Sequence, residues 1–143
     1  LTAYVIDASV ASRFLLVEDL SDKAAQVLEG FLEGALDLSA PKLMICEVGN
    51  TLWKATKRGF ISLDQAERKF SYLLRLKIDS IELNEEDHRE VLKWSVRSNA
   101  TYYDSLYVRS SIKVGAVLLT GDDTLFKVAC EEIPAVHLRD YRR

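Results

Sequence analysis

Chain breakers and cross-links are scarce. Two prolines and six glycines punctuate 143 residues, with no repeat and no low-complexity run. That excludes a fibrous or disordered chain and confines looseness to a short basic tail ending in Arg142 and Arg143. Cys46 and Cys130 lie far apart, so neither a disulfide framework nor a CxxC redox pair is on offer. Reduced thiols in a cytoplasmic setting are the expectation. Apolar runs such as Leu43–Cys46 and Ala116–Leu119 are too short to span a bilayer. No charged segment followed by an apolar stretch opens the chain, so no secretion signal and no membrane role are expected.

Familiar catalytic groups are few. His88 and His137 are the only histidines; neither has a suitably spaced partner, and both read as structural. There is no P-loop, no Gly-x-Ser-x-Gly elbow and no Gly-rich dinucleotide fingerprint. Basic charge is not in excess either. A formal net charge of −3 argues against holding nucleic acid by blanket electrostatics, although bound divalent cations supply positive charge where a phosphate docks.

What is present is alternation. Ala3–Ile6 is a fully apolar run and reads as a buried strand. Ser9 to Val17 reads as a short helix. Ser21 reads as the N-cap of the next helix, with Ala24, Val27, Leu28, Phe31 and Leu32 inward. Leu36–Ala40 is a second strand, stopped by Pro41. Leu43 to about Lys57 is helical, striped by Ile45, Val48, Leu52 and Ala55 and ended by Gly59. Ser62 and Gln65 form a capping box for a helix whose apolar face carries Leu63, Ala66, Phe70, Leu73 and Leu74. Ile78–Leu83 is a third strand. Asn84 caps an acid-rich helix with Val91, Leu92 and Ser95 inward, and about Tyr103 to Lys113 is helical again. Ala116–Leu119, Thr124–Glu131 and Ala135–His137 read as strand, helix and weak strand. Strands alternating with helices, the central ones continuously apolar, imply an α/β fold: a parallel sheet in a three-layer α/β/α sandwich, as one domain over residues 1–143.

Ligands in such sheets bind beyond the carboxyl ends of the strands. Asp7 directly follows Tyr4-Val5-Ile6, and Asp122 follows Val117-Leu118-Leu119-Thr120-Gly121, so both leave their strands at one edge. Each has a structural alternative: Asp7 as a helix cap near Ser9, Asp122 or Asp123 as a cap near Thr124. Glu47 lies in the otherwise apolar and small stretch Leu-Met-Ile-Cys-Glu-Val-Gly-Asn, where an ionised carboxylate is costly unless paired, hydrogen-bonded or metal-bound. Asn50 shares its face three residues on. The alternative there is an amphipathic helix with Glu47 in solvent. Asp104 falls in the first turn of its helix, which Asp favours for the macrodipole alone. Several carboxylates converging in one pocket repel one another unless a hard cation neutralises them, and oxygen-only ligation suits Mg²⁺ or Mn²⁺.

Four segments then form a pattern: Val5-Ile6-Asp7-Ala8-Ser9, Glu47-Val48-Gly49-Asn50, Tyr103-Asp104-Ser105-Leu106-Tyr107-Val108, and Leu118-Leu119-Thr120-Gly121-Asp122. In order and spacing they resemble the PIN-domain nucleases, and among these the VapC toxins of prokaryotic toxin–antitoxin pairs. The resemblance implies a Mg²⁺- or Mn²⁺-dependent endoribonuclease that homodimerises and is inhibited by a cognate antitoxin covering its active site. It implies Asp7, Glu47, Asp104 and Asp122 as the catalytic, metal-binding quartet. Ser9, Asn50 and Thr120 match its polar supporting positions, with Asp123 added as a rim charge or helix cap. Arg13, Lys54, Lys57, Arg58, Arg68 and Lys69 are candidates for a basic rim, and Tyr102 or Tyr103 for base stacking. Phe14, Leu15, Leu16 and Trp53 are candidates for an apolar docking surface. Three rivals differ in chemistry or role: a receiver-like phosphoaspartyl domain, a non-catalytic RNA- or protein-binding module, and an RNA-processing nuclease outside a toxin pair. The first lacks a second acid beside Asp7 and a clear late-strand lysine.

Overall fold

The computed structural model describes residues Leu1–Arg143. Five parallel strands form one sheet: β1 (Thr2–Ile6), β2 (Leu36–Pro41), β3 (Asp79–Ile81), β4 (Val117–Thr120) and β5 (Ala135–His137), in the order β3-β2-β1-β4-β5. Seven helices accompany them: α1 (Ala8–Ser12), α2 (Ser21–Leu32), α3 (Leu43–Lys57), α4 (Leu63–Arg75), α5 (Glu85–Ser98), α6 (Tyr102–Val114) and α7 (Asp123–Ala129). The result is the expected three-layer α/β/α arrangement.

The apolar runs lie where their composition directs them. Val5, Ile6, Leu118 and Leu119 are fully buried in the adjacent central strands β1 and β4. These strands anchor a core cluster that also takes in Val48 and Leu52 of α3 and Tyr107 and Val108 of α6. β1 leads outward to β2 and β3, whereas β4 returns to its other side. The strand order therefore reverses between β1 and β4, and a crevice opens at their carboxyl ends.

Several local expectations are corrected. α1 stops at Ser12 instead of reaching Val17: beyond it the chain tightens into successive i→i−3 bonds, Phe14 N to Ala11 O and Leu15 N to Ser12 O. Ser21 does not cap α2. Leu20, in the left-handed region at φ 69°, is the cap residue, and Ser21 Oγ is spent on the preceding turn, accepting from Glu18 N and donating to Leu16 O. The third strand shortens to three residues at the sheet edge. Leu32, Leu63, Leu74 and Leu92 face solvent, and Met44 replaces Ile45 as the buried member of the α3 stripe. α4 packs mainly on α3, so only a narrow stripe of Ala66 and Leu73 is buried, while Lys69 reaches across to Leu15 O. The C-terminal tail is tied down: Tyr141 is buried, Lys23 Nζ donates to its carbonyl, and Arg143 pairs with Glu29 and Glu33.

Candidate active site

The carboxyl ends of β1 and β4 are stitched together by two hydroxyls. Ser9 Oγ donates to Asp7 Oδ1 at 2.5 Å, and Thr120 Oγ1 donates to Asp7 Oδ2 at 2.7 Å. Gly121 N donates to Ser9 Oγ at 2.7 Å and Asp122 N to Thr120 Oγ1 at 3.0 Å. Gly121 lets the two strand ends approach closely. A Cβ there would stand 3.0 Å from Arg13 Nη1 and 3.4 Å from Ser9 Oγ.

Each strand-end acid caps the helix that follows it. Asp7 is the N-cap of α1 through Val10 N, and Asp122 caps α7 by accepting from Thr124 N and Leu125 N. The cap alternative for Asp7 and Asp122 is thus what the fold displays, and for Asp122 it engages Oδ1 only. Asp7 is 5% exposed, and burial pushes its carboxyl up to about 6, against the lowering effect of its hydrogen bonds, with the Asp122 charge adding to the rise. Asp104 enters at the start of α6, where Thr101 caps the helix through Asp104 N. Burial pushes its carboxyl up to about 6 as well, followed by the charges of Asp122 and Glu47.

Glu47 is half-buried on α3, so it lies neither in open solvent nor deep in the core. Tyr107 of α6 donates to its Oε1 at 2.5 Å. Burial, then this bond and the Glu47 and Asp7 charges, hold the Tyr107 hydroxyl well above the usual phenol range. The four acids thus share one field. No group of three or more Asp, Glu, His or Cys side chains is arranged to grip a metal directly. Mg²⁺ uses one or two carboxylates and keeps several waters, so an open, mutually repelling set of oxygen donors fits a hydrated ion.

A groove of about 630 Å³ runs alongside, lined by Ser9, Glu47, Asn50, Thr51, Lys54 and Tyr103 among others. Asn50 is exposed there, three residues past Glu47. Asp123 goes elsewhere: its carboxylate engages His137 Nε2 at 2.7 Å and Arg139 Nη1 at 3.1 Å, so it neither caps α7 nor joins the other acids. Among the rim candidates, Arg13 is consumed internally, donating to Ser9 O and Asp19 O and pairing with Glu18. Arg68 pairs with Asp64, and Lys69 donates to Leu15 O. Tyr102 is held by His88, whose Nδ1 lies 2.5 Å from its hydroxyl, whereas Tyr103 is 59% exposed. Of the apolar surface candidates, Leu15 is buried and Phe14 and Leu16 pack on the core, which leaves Trp53. Cys46 and Cys130 are unpaired and exposed. No helix is long and apolar enough to cross a membrane.

Sequence reading assigned no contact to Tyr107 and expected Arg13 on a basic rim, whereas Tyr107 binds Glu47 and Arg13 binds Ser9 O. A signal existed for Tyr107: it follows Asp104 by three residues on a helix and so shares its side.

The PIN domain family model matches residues 4–131. The chain belongs to the PIN domain family. Over 140 residues this PIN domain is 31% identical to Ribonuclease VapC3 of Pyrobaculum aerophilum, covering 92% of the chain and 95% of that protein. Over 125 residues it is 35% identical to Ribonuclease VapC1 of Mycobacterium tuberculosis, covering 84% and 90%. A crystal structure of a Pyrobaculum aerophilum protein aligns with a TM-score of 0.70 at 26% identity, over 96% of this PIN domain and 92% of that chain. The structure of VapBC2 from Rickettsia felis bound to a DNA fragment from their promoter aligns with a TM-score of 0.70 at 16% identity, over 95% and 98%. That last likeness is one of fold.

Proposed function

We propose that this PIN domain is a divalent-metal-dependent endoribonuclease, the toxin of a type II toxin–antitoxin pair, working as one domain over residues 1–143. The observation that carries this reading is the convergence of Asp7 and Asp122 at one sheet edge, with both Asp7 oxygens bound by Ser9 and Thr120, beside Asp104 and a Glu47 bound by Tyr107. Such a cluster holds energy that a hard cation releases. The relatives' names supply the substrate class, and the VapBC2 assembly supports an antitoxin partner. A homodimer in the cytoplasm completes the proposal.

Asp7, Glu47 and Asp104 are assigned to hold Mg²⁺ or Mn²⁺, with Asp122 contacting it directly or through water. When bound, the ion supplies an acidified water and charge neutralisation at the phosphate. The chain's own residues do the rest. Ser9 and Thr120 fix both Asp7 oxygens, Asn50 and Lys54 face RNA in the groove, and Tyr103 offers a stacking face.

The test is cleavage of a mixed RNA pool by wild type and Asp104→Asn, with Mn²⁺ or with EDTA. Cleavage by wild type in Mn²⁺ alone is expected. Equal cleavage by the variant sinks the assignment of Asp104. RNA binding without any cleavage in Mn²⁺ would make the chain a non-catalytic module.

A further inference from the structure

Helix α6 meets the acids twice. Asp104 stands in its first turn, and three residues later Tyr107 projects from the same side. Tyr107 is 1% exposed and is among the largest fully buried side chains. Its hydroxyl crosses to α3 and lies 2.5 Å from Glu47 Oε1. A carboxylate only accepts, so the phenol is the donor. This is the one hydrogen bond that the Glu47 side chain makes, and it leaves Oε2 free. Packing alone would be served as well by phenylalanine at position 107, whereas a buried phenol must find a partner. Without that partner no hydrogen bond holds the flexible Glu47 side chain in its orientation.

We propose that Tyr107 is a positioning residue: its hydroxyl fixes the Glu47 carboxylate so that the second oxygen faces the cation shared with Asp7 and Asp104. The inference rests on the metal-dependent reading above. It makes α6 the organiser of the site, supplying one acid itself and aiming another through a phenol. Outer-shell donors of this kind typically change metal affinity about 10–100-fold when removed.

The experiment is Mn²⁺ titration by calorimetry on the full chain as wild type, Tyr107→Phe, Glu47→Gln and the double variant. Melting temperature in EDTA checks that each is folded. Tyr107→Phe keeps the ring, and we expect it to weaken Mn²⁺ binding at least about tenfold. In the Glu47→Gln background the same change should add almost nothing, because its effect runs through Glu47. Mn²⁺ affinity unchanged in Tyr107→Phe overturns the proposal, even if the melting temperature falls, since a packing role predicts that pattern. An equal loss in both backgrounds overturns it too. Failure of wild type to bind Mn²⁺ overturns the metal reading itself and the inference with it. Tight Mn²⁺ binding without RNA cleavage defeats the nuclease reading while the Tyr107 comparison still stands.

Discussion

Asp7 is held by three donors yet resists ionisation. Ser9 Oγ, Thr120 Oγ1 and Val10 N all donate to it, but burial outweighs them and its carboxyl stays at about 6, above the ordinary 3.8. Between those two values the folded state binds more protons than the unfolded one, so stability falls as pH rises. The contribution is complete below the unfolded value and gone above the folded one. At about 1.4 kcal/mol per unit the loss is at most roughly 3 kcal/mol for Asp7. Asp104, more exposed, acts in the same direction and adds less. In EDTA the urea midpoint should therefore decline between about pH 4 and pH 7. Asp7→Asn should flatten that decline, since Asn caps a helix as well as Asp does, while reducing Mn²⁺-dependent RNA cleavage by about 100-fold or more. A variant that keeps wild-type cleavage refutes the role of Asp7; one that keeps the full decline refutes its titration.

At the scale of elements, α6 must be held still if Asp104 and Tyr107 are to meet α3, and α5 does the holding. Asp87 completes a capping box with Asn84 and also accepts from Arg109 Nε at 2.9 Å and Lys113 Nζ at 2.6 Å. The Lys113 hydrogen bond, then the Asn84 backbone, hold its carboxyl below the usual carboxylate range. The sign is opposite to that of Asp7: this stability is present above the unfolded carboxylate value and is lost as pH falls below it. Both cations are partly exposed, so solvent screens their share. Asp87→Ala should still cost about 2–3 kcal/mol in urea unfolding at pH 7, from the cap and the buried hydrogen bonds together. A midpoint unchanged at pH 7 would show that α5 does not clamp α6. Elements of this kind were legible in the sequence where the signal is local. The Ser62–Gln65 and Asn84 caps, the extent of α3 and the apolar central strands all follow from near neighbours along the chain. The strand-end acids were legible for the same reason. The destinations of Tyr107 and Asp123 were not, because their partners are brought near only by the tertiary fold; Leu63 and Leu74 were misread because no element covers them, and the short α1 and the contacts of Arg13 because irregular turns carry no periodic signal.

Over the whole molecule, charge sets how RNA can be held. Nineteen basic residues face twenty-two acidic ones, and the fold spends several cations internally. Arg13 and Lys69 brace the segment after α1, while Arg109 and Lys113 hold α5 to α6. Along the groove beside the acids, Lys54 is the cation left without an ion pair. With so few phosphate partners, RNA affinity should depend only weakly on salt, because few counterions are released on binding. Lys54→Ala should weaken binding similarly for all sequences and reduce the slope of log affinity against log salt by about 1. The measurement belongs in an Asp104→Asn background, so that the RNA survives the titration. An unchanged slope would mean that the phosphates run outside this groove. A slope that starts steep in the parent would mean that cations elsewhere carry the RNA. If instead the slope is shallow and falls with Lys54, phosphate docking depends mainly on charge that the protein does not itself provide, which is the condition for a carboxylate cluster at the mouth of a nucleic-acid groove to be productive and not merely repulsive.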